Sequence, residues 1–207
     1  MNEKLIKAFG DLDDDVVMEQ IKEMKAAGKE TIEILEDLQA GMDVVGKHFE
    51  EKEYYLSELI MASEIFKEAI EAAGGISNIA GAESYGTMVL GTVKGDIHDI
   101  GKNIVSAIMS CNGFRVIDLG TDVPIEKFVE TVKAEKPELV GISCLLTTNF
   151  DHMKQTVAAI KEAGSNAKVI IGGGPCNEST VTHVGADALA RDAQDGIEVA
   201  KELLGVN

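Results

Sequence analysis

Two carboxylates and an imidazole lie within four residues of the chain, at Asp96, His98 and Asp99, and Gly101 follows closely. A carboxylate two residues from a histidine can hold one ring nitrogen, which fixes the tautomer and raises the basicity of the other nitrogen. Metal-bound histidines commonly have this arrangement. The segment therefore predicts a histidine that is prepared to bind a metal.

The remaining histidines, His48, His152 and His183, are scattered along the chain, so no second ligand lies near His98 in the sequence. A bare zinc ion needs three or four protein ligands. One imidazole alone suits a metal that a macrocycle already holds, where the protein supplies only an axial bond. The alternative is that His98 is a polar residue of a surface loop without any ligand.

Two further apolar segments are followed by distinctive residues. Hydroxyl-bearing residues come at the end of the first segment, and glycines come at the end of the second. Ser143 and Thr147 belong to the first group, and Gly172–Gly174 form the second. The hydroxyls favour a ligand contact, and the alternative is that Thr148 or Asn149 caps the next helix. The glycines predict either a tight turn or room for a bulky ligand against the backbone. They do not match GxGxxG, so the sequence does not predict a dinucleotide site.

The elements that must position these residues alternate from residue 86 onward between short apolar segments and amphipathic ones. This pattern predicts an α/β fold, a flavodoxin/Rossmann-like doubly wound sheet of five parallel strands. The predicted strands are 87–93, 115–119, 139–145, 168–173 and 186–190, and the predicted helices are 104–111, 125–134, 153–163, 180–183 and 197–204. Ligands of such sheets bind at the carboxyl ends of the strands. All three groups of candidate residues lie at such ends.

Residues 1–83 contain no proline, and their apolar residues recur at helical spacing. They predict a four-helix bundle, with Asp13 or Asp14 capping one helix and a Gly-, Ser- and Ala-rich linker at 72–83 whose glycines are candidate hinges. Met18, Met42 and Met61 are expected to fill its core. The expected domains are 1–83, a helical cap, and 84–207, an α/β domain.

Composition excludes several classes of protein. The 207 residues carry a net charge of −17, which disfavours nucleic-acid binding, and no basic patch offsets it. No apolar run is long enough to span a membrane, and the N-terminus lacks the apolar core of a signal peptide. The three cysteines, Cys111, Cys144 and Cys176, are widely spaced and favour buried, reduced thiols. We expect a cytoplasmic protein without membrane or nucleic-acid partners.

The segment from Asp96 to Gly101 resembles the DxHxxG signature of proteins that bind cobalamin base-off/His-on. Forty-one residues separate Gly101 from Ser143, where Ser143 and Leu145 match the SxL motif of that family, and 26 more separate Leu145 from Gly172-Gly173, which match its GG motif. The segment GMDVVGKHFEEKEYYLSEL (41–59) is similar to the family's helical cap. The whole chain resembles the stand-alone corrinoid proteins of anaerobic methyltransferase systems and the cobalamin module of methionine synthase.

This resemblance implies roles for particular residues. His98 replaces the cofactor's dimethylbenzimidazole as the lower cobalt ligand, and Asp96 holds its other nitrogen. Asn149 stands where the family has a serine that relays a proton, and its amide can still bond to Asp96. Phe49, Leu56 and Leu59 match the cap over the methyl group, although a role in the bundle core remains open for them. The full set of implied cofactor-binding residues is Phe49, Leu56, Leu59, Asp96, Ile97, His98, Asp99, Ile100, Gly101, Ser143, Leu145, Thr147, Asn149, Gly172, Gly173, Gly174 and Ala193.

The resemblance also implies a function. The chain carries a methyl group on cobalamin or a related corrinoid, which cycles between cob(I)alamin and methylcob(III)alamin. Its implied partners are a substrate-specific methyltransferase for methanol, N-methyl or O-methyl donors, a second methyltransferase acting on tetrahydrofolate or a thiol, and a reductive activator. The chain alone is not expected to be catalytic.

Three alternatives remain open. A mutase subunit shares DxHxxG but would need a radical-handling barrel elsewhere and no helical cap. A cobalamin-sensing regulator should carry a basic helix-turn-helix ahead of the cap, and the acidic N-terminal segment offers none. A response-regulator-like domain fits the predicted sheet, but the expected acidic pair on the first strand is missing.

Overall fold

The computed structural model describes residues 1–74 and 85–206. The described residues fall into two compact units, one mainly from the first range and one mainly from the second. The expected boundary at 83/84 and the candidate hinge residues after Gly74 lie outside the described residues. None of the described helices is long and apolar enough to cross a membrane.

The first unit consists of four helices: α1 (Glu3–Gly10), α2 (Asp14–Ala26), α3 (Thr31–Glu50) and α4 (Leu56–Ala73). Asp13 caps α2 as predicted, since its carboxylate accepts a hydrogen bond from the backbone N–H of Val16. The apolar residues of 31–38 and of 42–49 lie on one continuous helix, α3. Gly41 lets α1 approach α3, because a Cβ there would lie 2.8 Å from the Cβ of Phe9.

Apolar side chains from all four helices fill the core of this unit, including Leu5, Phe9, Val17, Ile34, Leu38, Met42 and Phe66. The prediction that Met61 fills this core is wrong. Met61 is about half exposed and lies with the exposed residues Leu56 and Ile60 on the surface of α4. Helical spacing alone did not separate the two faces, because α4 is apolar on both.

The second unit is a parallel five-stranded sheet with strands β1 (Gly86–Thr92), β2 (Phe114–Asp118), β3 (Leu139–Ser143), β4 (Lys168–Gly172) and β5 (Ala188–Ala190) in the order β2-β1-β3-β4-β5. The connecting helices are α5 (Ile100–Cys111), α6 (Ile125–Glu135), α7 (Phe150–Glu162), α8 (Glu178–Val184) and α9 (Ala193–Leu204). This order is that of the flavodoxin-like doubly wound sheet, so the predicted fold class is confirmed. Helix α5 begins four residues earlier than predicted.

The central strands β1, β3 and β4 are largely buried, as a parallel sheet covered by helices requires, whereas the edge strands β2 and β5 are partly exposed. One continuous core joins Val89, Val140, Ile142, Val169 and Ile171 of the sheet to side chains from the covering helices. Cys111 and Cys144 are buried, and burial raises the pKa of both thiols to about 12. Cys176 is only partly buried. The order of strands reverses between β1 and β3, which makes their carboxyl ends the expected ligand site.

Candidate cofactor-binding site

The loop between β1 and α5 places the carboxylate of Asp96 in the interior, where the residue is 0% exposed. Its Oδ1 accepts hydrogen bonds from the backbone N–H of His98 at 3.0 Å and from the ring Nδ1 of His98 at 2.7 Å. Its Oδ2 accepts the backbone N–H groups of Leu145 at 2.6 Å and Leu146 at 3.1 Å. Asp96 therefore joins its own loop to the segment that follows β3.

Opposing effects act on the pKa of Asp96. Burial alone would raise the pKa, because it disfavours the charged form. The hydrogen bonds donated by the backbone of His98 and Leu145, the ring of His98 and the backbone of Leu146 outweigh burial and hold the pKa below its ordinary value. Asp96 is therefore an ionised acceptor at neutral pH.

This carboxylate determines which nitrogen of His98 carries the proton. An ionised carboxylate can only accept, so Nδ1 donates to it, and the lone pair of the neutral ring lies on Nε2. The side chain of His98 is 50% exposed, while that of its partner Asp96 is 0% exposed. No hydrogen bond to Nε2 occurs within residues 1–74 and 85–206. His98 thus presents a basic nitrogen toward solvent from a fixed ring.

Three further contacts hold this loop. The hydroxyl of the buried Thr92 donates to the carbonyl of His98 at 3.0 Å. Asp122, after β2, donates its N–H to the carbonyl of Asp96 at 2.9 Å, and its Oδ1 accepts the N–H of Gly95 at 2.7 Å. Sequence analysis identified neither Thr92 nor Asp122, nor the N–H of Leu146, because no spacing pattern marks a contact between loops of different strands.

The ends of β1, β3 and β4 bring the three predicted motifs together. Ser143 is in register with Thr92 on one side and with Gly172 on the other. Gly173 adopts φ +122°, and a Cβ there would lie 2.0 Å from the carbonyl oxygen of Cys144. Only glycine fits where these two backbone segments approach so closely. A Cβ at Gly174 would lie 3.4 Å from Cδ1 of Leu145, so the glycine directly after the GG motif borders the SxL motif.

The side chain of Asn149 does not make the hydrogen bond to Asp96 that the sequence analysis allowed. Its amide makes no hydrogen bond to Asp96, whose acceptor sites are taken by the four N–H groups named above. Asn149 is at the N-cap position of α7, but its side chain makes no capping bond. Its Nδ2 is the only buried side-chain polar atom without a partner in the described part of the chain. The amide packs near Gly95, where an added Cβ would lie 3.2 Å from Oδ1.

The remaining predicted residues differ in exposure. Ile97, Ile100 and Leu145 are exposed, together with Leu146, and they give the rim around His98 an apolar character. Asp99, Gly101 at the start of α5, and Thr147 are exposed, and Ala193 is buried as the first residue of α9. In the first unit, Leu56 is exposed and Phe49 is partly buried, but Leu59 is 1% exposed and belongs to the bundle core.

The donor set fits a metal that is coordinated mainly by a macrocycle. The one group of three or more metal-ligating side chains in the described ranges is His48, Glu51 and Glu53 in the first unit, and it does not include His98. His98 therefore offers one nitrogen with an ordered acceptor behind it. Exposed apolar side chains lie on its own loop at Ile97 and on the segment after β3 at Leu145 and Leu146, which suits a large planar ligand better than a bare ion.

Comparisons with known proteins identify the family of this chain. Models of the B12 binding domain match residues 1–73 and 86–201. The chain is 36% identical to the trimethylamine corrinoid protein of Methanosarcina barkeri over 98% of this chain and 96% of that protein. A cobalamin-binding protein from Desulfitobacterium hafniense has a solved structure with a TM-score of 0.82, 38% identity and 96% coverage of both chains.

The methanol:cobalamin methyltransferase complex of Methanosarcina barkeri also matches, with a TM-score of 0.86 and 31% identity, over 99% of this chain and 79% of that one. The predicted cofactor, cobalamin or a related corrinoid, is confirmed at the level of the family. This chain belongs to the B12-binding family of corrinoid proteins that includes the methylamine corrinoid proteins of methanogens.

Proposed function

We propose that this chain is a methyl-carrying corrinoid protein that binds its cofactor base-off/His-on, with Nε2 of His98 as the lower ligand of cobalt. When bound, the corrinoid supplies a cobalt centre that accepts and releases a methyl group. The observation that carries the proposal is the pairing of His98 Nδ1 with the buried Asp96, which leaves Nε2 as the free, basic nitrogen. The relatives named as trimethylamine corrinoid protein and methanol:cobalamin methyltransferase support the methyl-carrying role.

The residues proposed to hold the cofactor lie in three groups. The first is the His98 loop with Asp96, Ile97, Asp99, Ile100 and Gly101. The second is the β3 and β4 ends with Ser143, Leu145, Thr147, Asn149 and Gly172–Gly174, which we propose hold the displaced nucleotide tail. The third group consists of Ala193 of α9 and of three residues of the helical unit, Phe49, Leu56 and Leu59. Leu59 acts through packing in the bundle, since it is buried there.

The proposed partners are a methyltransferase specific for the methyl donor, a second methyltransferase that serves tetrahydrofolate or a thiol, and a reductive activator. The relative from the methanol:cobalamin methyltransferase complex supports the first of these. The chain orients the cofactor and supplies the axial nitrogen, and it turns over no substrate without its partners.

The visible spectrum of the protein loaded with cobalamin tests the ligation. Wild type is expected to show the spectrum of a histidine-coordinated corrinoid, and His98→Ala is expected to show the base-off spectrum. His183→Ala, in which an exposed histidine of the same unit is removed, is the control and should match wild type. Identical spectra for wild type and His98→Ala would contradict the proposal.

Methyl transfer is tested separately with partner enzymes. The loaded, reduced protein is mixed with donor methyltransferases for methanol, methylamines and methoxyaromatics, and methylation of cobalt is followed by its absorbance. We expect one donor system to methylate the cofactor. In a separate assay with adenosylcobalamin, we expect this chain to support no rearrangement of mutase substrates. Rearrangement activity without methylation would favour a mutase subunit instead.

A further inference from the structure

Lys102 is the only lysine or arginine of the described ranges that is buried, with 3% of its surface exposed. It is the third residue of α5, close to the N-terminus of the helix. Burial disfavours an ammonium group, and the positive end of the helix dipole disfavours a cation at this position as well. Its presence there calls for specific partners.

Two oxygens solvate this ammonium. Nζ of Lys102 lies 2.5 Å from Oδ2 of Asp118 and 2.6 Å from Oδ1 of Asn103. Asp118 is the last residue of β2, and its Oδ1 accepts the N–H of Gly120 at 2.8 Å. The ion pair therefore ties the first turn of α5 to the end of β2.

The same network reaches the residue that follows His98. Oδ1 of Asn103 accepts the hydrogen bond from Nζ of Lys102, and Nδ2 of Asn103 donates a hydrogen bond to Oδ2 of Asp99 at 3.2 Å. Its backbone N–H donates to the carbonyl of Asp99 at 2.8 Å. His98 thus lies between two anchors, which are Asp96 on its N-terminal side and the Lys102–Asn103–Asp99 contacts on its C-terminal side.

We infer that Lys102 is a positioning residue for His98, because its buried ammonium ties the start of α5 to β2 and so holds the imidazole loop from the side opposite to Asp96. A buried ion pair contributes little net stability compared with an apolar side chain of equal size. Stability alone therefore does not account for a lysine here, whereas a directional tether does. The inference rests on the proposed function only in taking His98 as the cobalt ligand.

Hydrogen exchange on the cofactor-free protein tests the tether without any corrinoid. Lys102→Met keeps the length of the stem and removes the charge, and Asp118 can be solvated because its side chain is 32% exposed. The amides of His98 and Asn103 are expected to exchange at least tenfold faster than in wild type. The amides of Leu145 and Leu146 lie on the segment after β3, to which Lys102 makes no hydrogen bond, and they should change less than twofold. Lys133→Met, which removes an exposed lysine of α6, is the matched control and should exchange like wild type.

The second readout is the fraction of bound cobalamin that shows the histidine-coordinated spectrum at saturation. This fraction is expected to fall in Lys102→Met and to stay complete in Lys133→Met. Should Lys102→Met fail to fold, Asn103→Ala replaces it, because the exposed Asn103 connects the lysine to Asp99 and its loss leaves the Lys102–Asp118 pair intact. We expect a threefold or larger rise in exchange at His98 in this variant.

Unchanged exchange at His98 in the folded variants would overturn the inference, and so would a lower melting temperature accompanied by an unchanged histidine-coordinated fraction. Failure of the proposed function looks different. In that case wild type itself lacks a His98-dependent spectrum, while the exchange measurement on the cofactor-free protein still tests the tether.

Discussion

The carboxylate of Asp96 lies 2.7 Å from Nδ1 of His98 and accepts three backbone N–H groups besides, so a single buried side chain sets the tautomer of the imidazole and connects two loops of the sheet. The backbone contacts fix the carboxylate, and the carboxylate fixes the ring. The predicted chemistry of His98 therefore depends on the fold around Asp96.

Asp96→Asn tests this connection in the cofactor-free protein. An amide can accept at only one of its two ends, so N–H donors on the other end lose their partner. Each buried unsatisfied donor costs about 1–3 kcal/mol. We expect the free energy of unfolding, measured in urea, to fall by about 3 kcal/mol. Asp99→Asn, which changes an exposed carboxylate of the same loop, is the control and should cost less than about 1 kcal/mol. Equal losses in the two variants would contradict the role assigned to Asp96.

The pH dependence of stability follows from the lowered pKa of Asp96. The unfolded chain takes up a proton at this residue near the ordinary aspartate pKa of about 3.9, while the folded protein resists it to lower pH. The stabilisation by Asp96 is therefore complete above that pKa and is lost as the pH falls through the folded-state value. The difference in unfolding free energy between wild type and Asp96→Asn is expected to shrink below about pH 4. A constant difference from pH 7 to pH 3 would show that Asp96 does not titrate in this way.

Gly173→Ala is expected to be among the most destabilising changes at the rim. It combines an unfavourable φ of +122° with a Cβ placed 2.0 Å from the carbonyl oxygen of Cys144. Backbone strain of about 1–2 kcal/mol and overpacking of about 1–3 kcal/mol add up to about 3 kcal/mol or more. Gly185→Ala separates the two effects, since φ there is +76° and no atom lies within 4 Å of the added Cβ. A loss for Gly173→Ala no larger than that for Gly185→Ala would show that the backbone at Gly173 is not tightly packed against Cys144.

Gly101→Ala is expected to affect stability and cofactor binding in opposite directions. Gly101 lies in α5, and an added Cβ meets no protein atom within 4 Å. Alanine in a helix is favoured over glycine by about 0.5–1 kcal/mol, so the cofactor-free protein should become more stable. If the corrinoid lies against this surface, the Cβ occupies its space, and affinity for cobalamin should fall about tenfold or more, which is about 1.4 kcal/mol. Unchanged affinity in the stabilised variant would place the cofactor away from Gly101.

Much of this arrangement was predictable from the sequence because it follows from local rules. Short continuous apolar segments predicted the five strands, and parallel strands necessarily bring Asp96, Ser143 and Gly172 to one edge. The spacing of Asp96 and His98 in an extended loop allowed the observed ring contact. Family motifs added the type of ligand.

Contacts between distant segments were not predictable in this way. The N–H of Leu146, the carboxylate of Asp122 and the Lys102–Asp118 pair depend on how two loops pack, and backbone donors have no signature in side-chain type. The missed exposure of Met61 has a similar cause, since α4 carries apolar residues on its buried and its exposed faces. The sequence allowed a hydrogen bond from Asn149 to Asp96, but the acceptor sites of Asp96 are already occupied by N–H groups from its own loop and from the segment after β3.

Electron paramagnetic resonance of the protein loaded with cobalamin in its cobalt(II) form tests the central claim most directly, because it reports the nucleus bound to cobalt. With ¹⁴N in the axial position each cobalt line splits into three. Labelling the histidines of the protein with ¹⁵N is expected to convert this splitting into two lines, and His98→Ala is expected to abolish it. Three lines that persist after labelling would show that dimethylbenzimidazole remains the axial ligand and would contradict ligation by His98.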